Sequence, residues 1–80
     1  MVPLSDFREG ERGVIAKLNG SGPFRKRLQE MGFIRGVEVL VEKYAPLREP
    51  IELVVKGYHV SLRVGEAAMV MMDKLEQESS

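Results

Sequence analysis

Among the side chains that can do chemistry, the sequence offers one histidine, His59, and no cysteine. Soft and borderline metals are held by clustered imidazole and thiolate ligands, so a lone histidine supplies one strong ligand at most. His59 is the single weak metal-ligand candidate, with Glu52 or Glu66 as a carboxylate that would join it. Its alternation with Val60 on the outer face of a strand favours an ordinary surface histidine instead. The same scarcity limits nucleophilic catalysis. Ser5, Ser21 and Ser61 share one histidine as a base, and the carboxylates are scattered along strand exteriors without defining a pocket. No catalytic residue and no cofactor are expected.

Two groups of residues are candidates for binding a partner. Arg25, Lys26 and Arg27, with Arg35, form the only basic concentration, beside a Gly-Ser-Gly-Pro loop that would present backbone amides at a helix N-terminus. The loop lacks the Gly-Lys-Ser/Thr ending of a nucleotide-binding P-loop, which favours a solvated or protein-docking face over an anion site. Arg25, Arg27 and Arg35 are therefore partner-binding candidates. The second group is Leu47, lying between Pro46 and Pro50, with Tyr44 and Arg48. Together they would make a small apolar patch ringed by charge, the kind of surface that binds protein. Equally, the loop could fold back with Leu47 as its plug. Met31, Met69, Met71 and Met72 read as core gap fillers, although alternation must leave at least one of Met71 and Met72 outside.

Twelve Lys plus Arg against twelve Asp plus Glu give zero net charge, which argues against a general attraction to nucleic acid or anionic membranes. A nucleic-acid-binding small barrel stays as the alternative. It is weakened because only Phe7, Phe24, Phe33, Tyr44 and Tyr58 could stack on bases. No apolar run approaches the roughly 20 residues that span a bilayer, and the start lacks signal-peptide regions, so a soluble, unexported, cytoplasmic protein is expected.

The elements that must position these residues are short. Leu4 to Gly10 predicts a single helical turn with Ser5 as N-cap and Leu4 and Phe7 as apolar anchors. Val14 to Leu18 is a strand, closed by the turn formers Asn19 to Pro23. Gly22 as N-cap and Pro23 at the first helical position open a helix, whose apolar stripe is Phe24, Leu28 and Met31. Gly32 stops it and Gly36 makes the next turn. A second strand runs from about Val37 to Tyr44, with Val37, Val39 and Val41 on one face, and ends at the exposed Pro46–Pro50 loop. Alternating segments on either side of Gly57 predict a β-hairpin turned there. Gly65 to Ala68 reads as a short turn or 3₁₀ segment, and Met69 to Met72 as a last strand. The domain is expected over residues 1–75, with a frayed tail at 76–80. About five strands and one short α-helix are mainly β, and close most economically into a small barrel that removes exposed edges. Eighty residues hide only around 60% of their unfolded surface, so that core must be compact.

The order Pro3-Leu4-Ser5-Asp6-Phe7, Gly10-Glu11, Arg27-Leu28, Met31-Gly32-Phe33, Gly36, Val39, Pro46-Leu47, Pro50-Ile51, Gly57, Leu62-Arg63, Glu66-Ala67 resembles the FeoA family of ferrous-iron transport A proteins. The resemblance runs from Leu4 to about Met72. It implies an SH3-like barrel in the cytoplasm, an accessory of the FeoB ferrous-iron permease, whose cytoplasmic portion carries a GTPase domain; with such a partner, Arg25, Arg27 or Arg35 could serve as a finger in the GTPase site, where such a residue accelerates phosphoryl transfer by roughly 10³ to 10⁵. It does not imply catalysis. The same kind of domain ends iron-dependent transcriptional repressors, so a stand-alone regulatory domain is a further alternative.

Overall fold

The computed structural model describes residues 1–75, and the expected tail at 76–80 lies outside the described residues. The chain is mainly β. Strands β1 (Val2–Pro3), β2 (Arg12–Leu18), β3 (Glu38–Tyr44), β4 (Ile51–Val55), β5 (Tyr58–Leu62) and β6 (Val70–Lys74) form one sheet in the order β1-β6-β2-β3-β4-β5, every pair antiparallel. Helix α1 (Gly22–Glu30) links β2 to β3, and one helical turn, α2 (Val64–Ala67), links β5 to β6.

Six strands and two helices stand where about five strands and one helix were expected. The additions are the two-residue β1, too short to show alternation, and α2, a helical turn where a 3₁₀ or plain turn was expected. Two caps also differ. The first turn is a 3₁₀ segment, Leu4–Asp6, whose N-cap is Pro3 rather than Ser5, and α1 begins after Ser21 rather than Gly22. The C-terminus of α1 follows the sequence reading. Phe33 N–H donates to the Leu28 carbonyl and Gly32 N–H to the Gln29 carbonyl, both at 3.0 Å, with Gly32 at a φ of 103°. This is the Schellman arrangement, and the buried pair Leu28 and Phe33 supplies its apolar contact.

Two irregularities decide which side chains enter the core. The β2–β6 register shifts between Ile15 and Lys17, and the β3–β4 register between Val41 and Lys43. Each extra residue reverses the faces beyond it. Ile15 and Leu18 are thus both buried despite their odd spacing, and Tyr44 turns towards the 3₁₀ turn instead of following Glu42 outward. The bulges also increase twist, which curls the sheet. The ladder does not close by hydrogen bonds, because β1 and β5 are both edges among the described residues. Contact between α2 and the Leu4–Asp6 turn covers part of the gap. The expected removal of edges is therefore incomplete.

The core holds Leu4, Phe7, Ile15, Leu28, Phe33, Val39, Val41, Ile51, Leu53, Val55, Leu62, Val70 and Met72, and no polar or charged residue is buried with them among the described residues. Each such aliphatic or aromatic side chain contributes about 1.5–3 kcal/mol on burial, which makes packing the main stabilising term in a chain without disulfides. Met72 is fully buried and Met71 half-buried, but Met31 is 37% exposed and does not continue the stripe of Leu28 and Phe24. Its position as C-cap, one residue before the Schellman glycine, places it at the helix end. No helix among the described residues is long and apolar enough to cross a membrane.

Candidate docking surface

The residues around Tyr44 are brought together from three parts of the chain. The bulge in β3 turns the Tyr44 ring inward, where its hydroxyl donates to the backbone carbonyls of Phe7 and, at 3.3 Å, of Ser5. Its backbone N–H donates to Glu9 Oε2 at 2.8 Å. The ring is thereby fixed against the loop between the first 3₁₀ turn and β2. Burial holds the phenol above its ordinary titration range, since the phenolate would be poorly hydrated there. The Arg48 guanidinium lies 4.9 Å from the ring centroid, a cation–π distance. Asp6, Phe7, Arg8, Glu9, Tyr44 and Arg48 line an open cleft.

Leu47 stands beside this cleft with 98% of its surface exposed, so the plug alternative for the loop does not hold. Leu47 and Arg48 both take left-handed backbone conformations, with φ of 67° and 66°. The Pro46–Arg48 turn is held by the Arg48 N–H donating to the Ala45 carbonyl at 2.8 Å, and Ala45 N–H donating to the Pro50 carbonyl at 3.0 Å. Non-glycine residues reach this region at a cost of roughly 1 kcal/mol or more each. A fully exposed leucine in a costly conformation, next to a fixed aromatic ring and an arginine, forms an apolar projection that a partner's pocket can accept.

The second candidate group divides. Arg25 and Arg35 are exposed and without an ion-pair partner among the described residues, whereas Arg27 is paired with the Glu66 carboxylate of α2. The other Glu66 oxygen accepts from the Arg63 N–H at 2.9 Å. Arg27 therefore does structural work in fastening α1 to α2, a role its sequence neighbourhood could not show because Glu66 lies 39 positions away.

His59 faces solvent, with Nδ1 3.5 Å from Glu42 Oε1. Of the carboxylates expected near it, Glu52 is 3.6 Å from Lys43 Nζ and Glu66 holds Arg27. No three His, Cys, Asp or Glu residues gather among the described residues in a metal-holding group. The turn glycines Gly32, Gly36 and Gly57 all have positive φ. At the β4–β5 turn Lys56 and Gly57, at 53° and 81°, make the primed two-residue turn that matches strand twist.

A family model described as the FeoA domain matches residues 2–74. The chain is 38% identical over 77 residues to an Fe(2+) transport protein A/Fe(2+) transporter FeoB fusion protein of Porphyromonas gingivalis; the match covers 96% of this chain and 9% of that protein. It is also similar to a FeoA-like protein of Clostridium acetobutylicum, with a TM-score of 0.89 at 26% identity over 99% of this chain and 92% of that one. Against the zinc-complexed FeoA of Stenotrophomonas maltophilia, described as an SH3 domain protein, the TM-score is 0.79 at 27% identity, covering 91% of each chain. The SH3-like fold expected from the sequence is the fold of these relatives.

Proposed function

This chain belongs to the FeoA family, and from that premise we propose that it serves ferrous-iron uptake as an accessory of a FeoB-type permease. In this reading it works in the cytoplasm, docked on the permease's GTPase-bearing portion, and modulates transport without catalysing a reaction or holding a cofactor. The observation that supports it most is the fusion relative, in which an Fe(2+) transport A unit and FeoB are one polypeptide. Covalent linkage raises the effective concentration of two modules into the millimolar range, which is useful only where they work together.

The surface offered to the permease is the Leu47 projection with the Tyr44–Arg48 pair. Arg25 and Arg35, on α1 and the turn that follows it and without ion pairs among the described residues, are the alternative contacts, since Arg27 is held by Glu66. Co-purification of the chain with a FeoB-type permease, with and without guanine nucleotide, tests the association. Capture in at least one nucleotide state, lost on Leu47→Asp, is the expected result. Absence of capture in every state would overturn it. Alanine at Arg25 or Arg35 separates docking from assistance to the permease's GTPase: removing an arginine finger lowers the permease's GTP hydrolysis with capture unchanged.

A further inference from the structure

The two edges of the sheet are protected unequally. β1 is two residues long and contains Pro3, which has no N–H to offer, and so it presents almost no template for another strand. β5 is five residues long, Tyr58-His59-Val60-Ser61-Leu62, with no proline and no charged side chain of fixed sign along it, and its register against β4 runs without a bulge. The Lys56-Gly57 turn fixes which of its backbone groups are free. In a two-residue hairpin the closing pair, Val55 and Tyr58, exchanges both hydrogen bonds, and so by alternation do Leu53 with Val60 and Ile51 with Leu62. His59 and Ser61 therefore point their N–H and C=O groups away from β4, and β5 has no other neighbour in the sheet among the described residues.

The side chains match this edge. Tyr58, Val60 and Leu62 share the core-side face, and burial along it decreases from Leu62, in the core, through the half-buried Val60 to Tyr58, 74% exposed. The apolar face thus continues to Tyr58, which no described residue covers. At the two ends stand Lys56 and Arg63, exposed and without ion pairs among the described residues, while the neighbouring carboxylates are engaged elsewhere: Glu49 on the Val64 N–H, Glu66 on Arg27, Glu52 on Lys43 and Glu42 against His59.

We propose that β5 is a strand-addition site for an extended segment of a partner protein, alternately apolar and with carboxylates at both ends. Such a segment pairs antiparallel or parallel through His59 and Ser61, lays its apolar side chains over Tyr58 and Val60, and sets its acidic ends against Lys56 and Arg63. A second copy of this chain fits less well. Antiparallel pairing of two β5 strands about Val60 places Lys56 of each copy close to Arg63 of the other, like charge beside like charge at both ends.

The test uses the ¹⁵N-labelled full chain and a synthetic peptide of alternating valine and threonine with glutamates at each end. Binding should shift and slow the exchange of the His59 and Ser61 amides before any others, and a peptide with lysines in place of the glutamates should bind roughly tenfold more weakly at low salt. Ser61→Pro removes an edge N–H that the β4 ladder does not use, so the variant should fold and bind at least about tenfold more weakly. Should that variant unfold, a peptide N-methylated on the amides that face β5 provides the same comparison, and must fail to bind. Shifts centred elsewhere, unchanged binding by Ser61→Pro or by the methylated peptide, or protection of His59 and Ser61 by self-association alone would each overturn the proposal. No permease enters this experiment, so its failure leaves the transport reading standing.

Discussion

Glu66 of α2 and Arg27 of α1 are joined side chain to side chain, and the same Glu66 carboxylate takes the Arg63 N–H at the start of α2. One carboxylate thus completes half of a capping box and ties the two helices together. The other half is absent, because an arginine side chain at the N-cap has no acceptor to give.

Glu66→Ala should cost more than Arg27→Ala. Losing the carboxylate leaves the Arg63 N–H without its partner, a cap loss of about 1 kcal/mol, in addition to the ion pair. Arg27 is more than half exposed, so removing it alone should cost well under about 1 kcal/mol. In thermal denaturation the first corresponds to a fall of about 4–8 °C in Tm for a domain of this size, and the second to a smaller one. Equal shifts would show that the cap contributes nothing.

Gly13 and Gly57 should respond differently to alanine. A Cβ at Gly13 would lie 2.6 Å from the Asp73 carbonyl oxygen and 2.9 Å from Phe7 Cζ, so β2 and β6 must separate or the ring must move. Gly57 has open space and only its φ of 81° to strain. Gly13→Ala is expected to lose about 3 kcal/mol or fail to fold, and Gly57→Ala about 1 kcal/mol, by urea denaturation.

Tyr44 predicts a loss of stability in alkali. Its folded-state pKa lies above the ordinary value near 10, because burial disfavours the phenolate. Between the unfolded and the folded pKa the native chain binds more protons than the unfolded chain, so stability is complete below about pH 10 and falls as the pH rises beyond it. Tyr44→Phe should be less stable at neutral pH by about 1 kcal/mol, through the lost hydroxyl bonds, and should lack this part of the alkaline decline. A decline of the same size in the variant would exclude Tyr44 as its source.

Glu11 predicts the opposite edge of the profile. The Arg8 N–H, 2.7 Å from Oε1, holds its carboxyl below the usual carboxylate value, and Lys74, 3.3 Å away, adds to this. A lowered pKa contributes stability that is present above the unfolded value and lost as the pH falls through the folded one. Glu11→Gln should therefore be less sensitive to acid below about pH 4.5 than the parent chain, measured by circular dichroism at graded pH.

Leu47→Gly should leave stability unchanged or raise it slightly, since glycine adopts a φ of 67° without the Cβ penalty and no buried contact is lost. Leu47→Asp should also leave the fold intact. A drop of more than about 1 kcal/mol in either would mean that the loop supports the barrel, and would weaken its reading as a docking projection.

Periodicity and turn chemistry made much of this architecture legible beforehand. The helix stop at Gly32, the hairpin at Gly57 and the inward Val39 and Val41 all follow from local rules that long-range packing did not override. The bulges in β2 and β3 were not legible, because a one-residue slip is set by the partner strand and leaves no local mark. That slip is what turns Tyr44 inward, so the sequence marks Tyr44 as a surface candidate but carries no sign of its fixed hydroxyl. Arg27 reads with its basic neighbours because the glutamate that occupies it is distant in sequence and adjacent in space.

The antiparallel pairing of Val2 with Met72, with the amino group of Met1 3.6 Å from Asp73, brings the start of β1 and the end of β6 to one corner of the sheet. β5 lies on the opposite edge. The start of β1 and the end of β6 therefore share a corner far from β5, so a contact made at the β5 edge would leave that corner unobstructed.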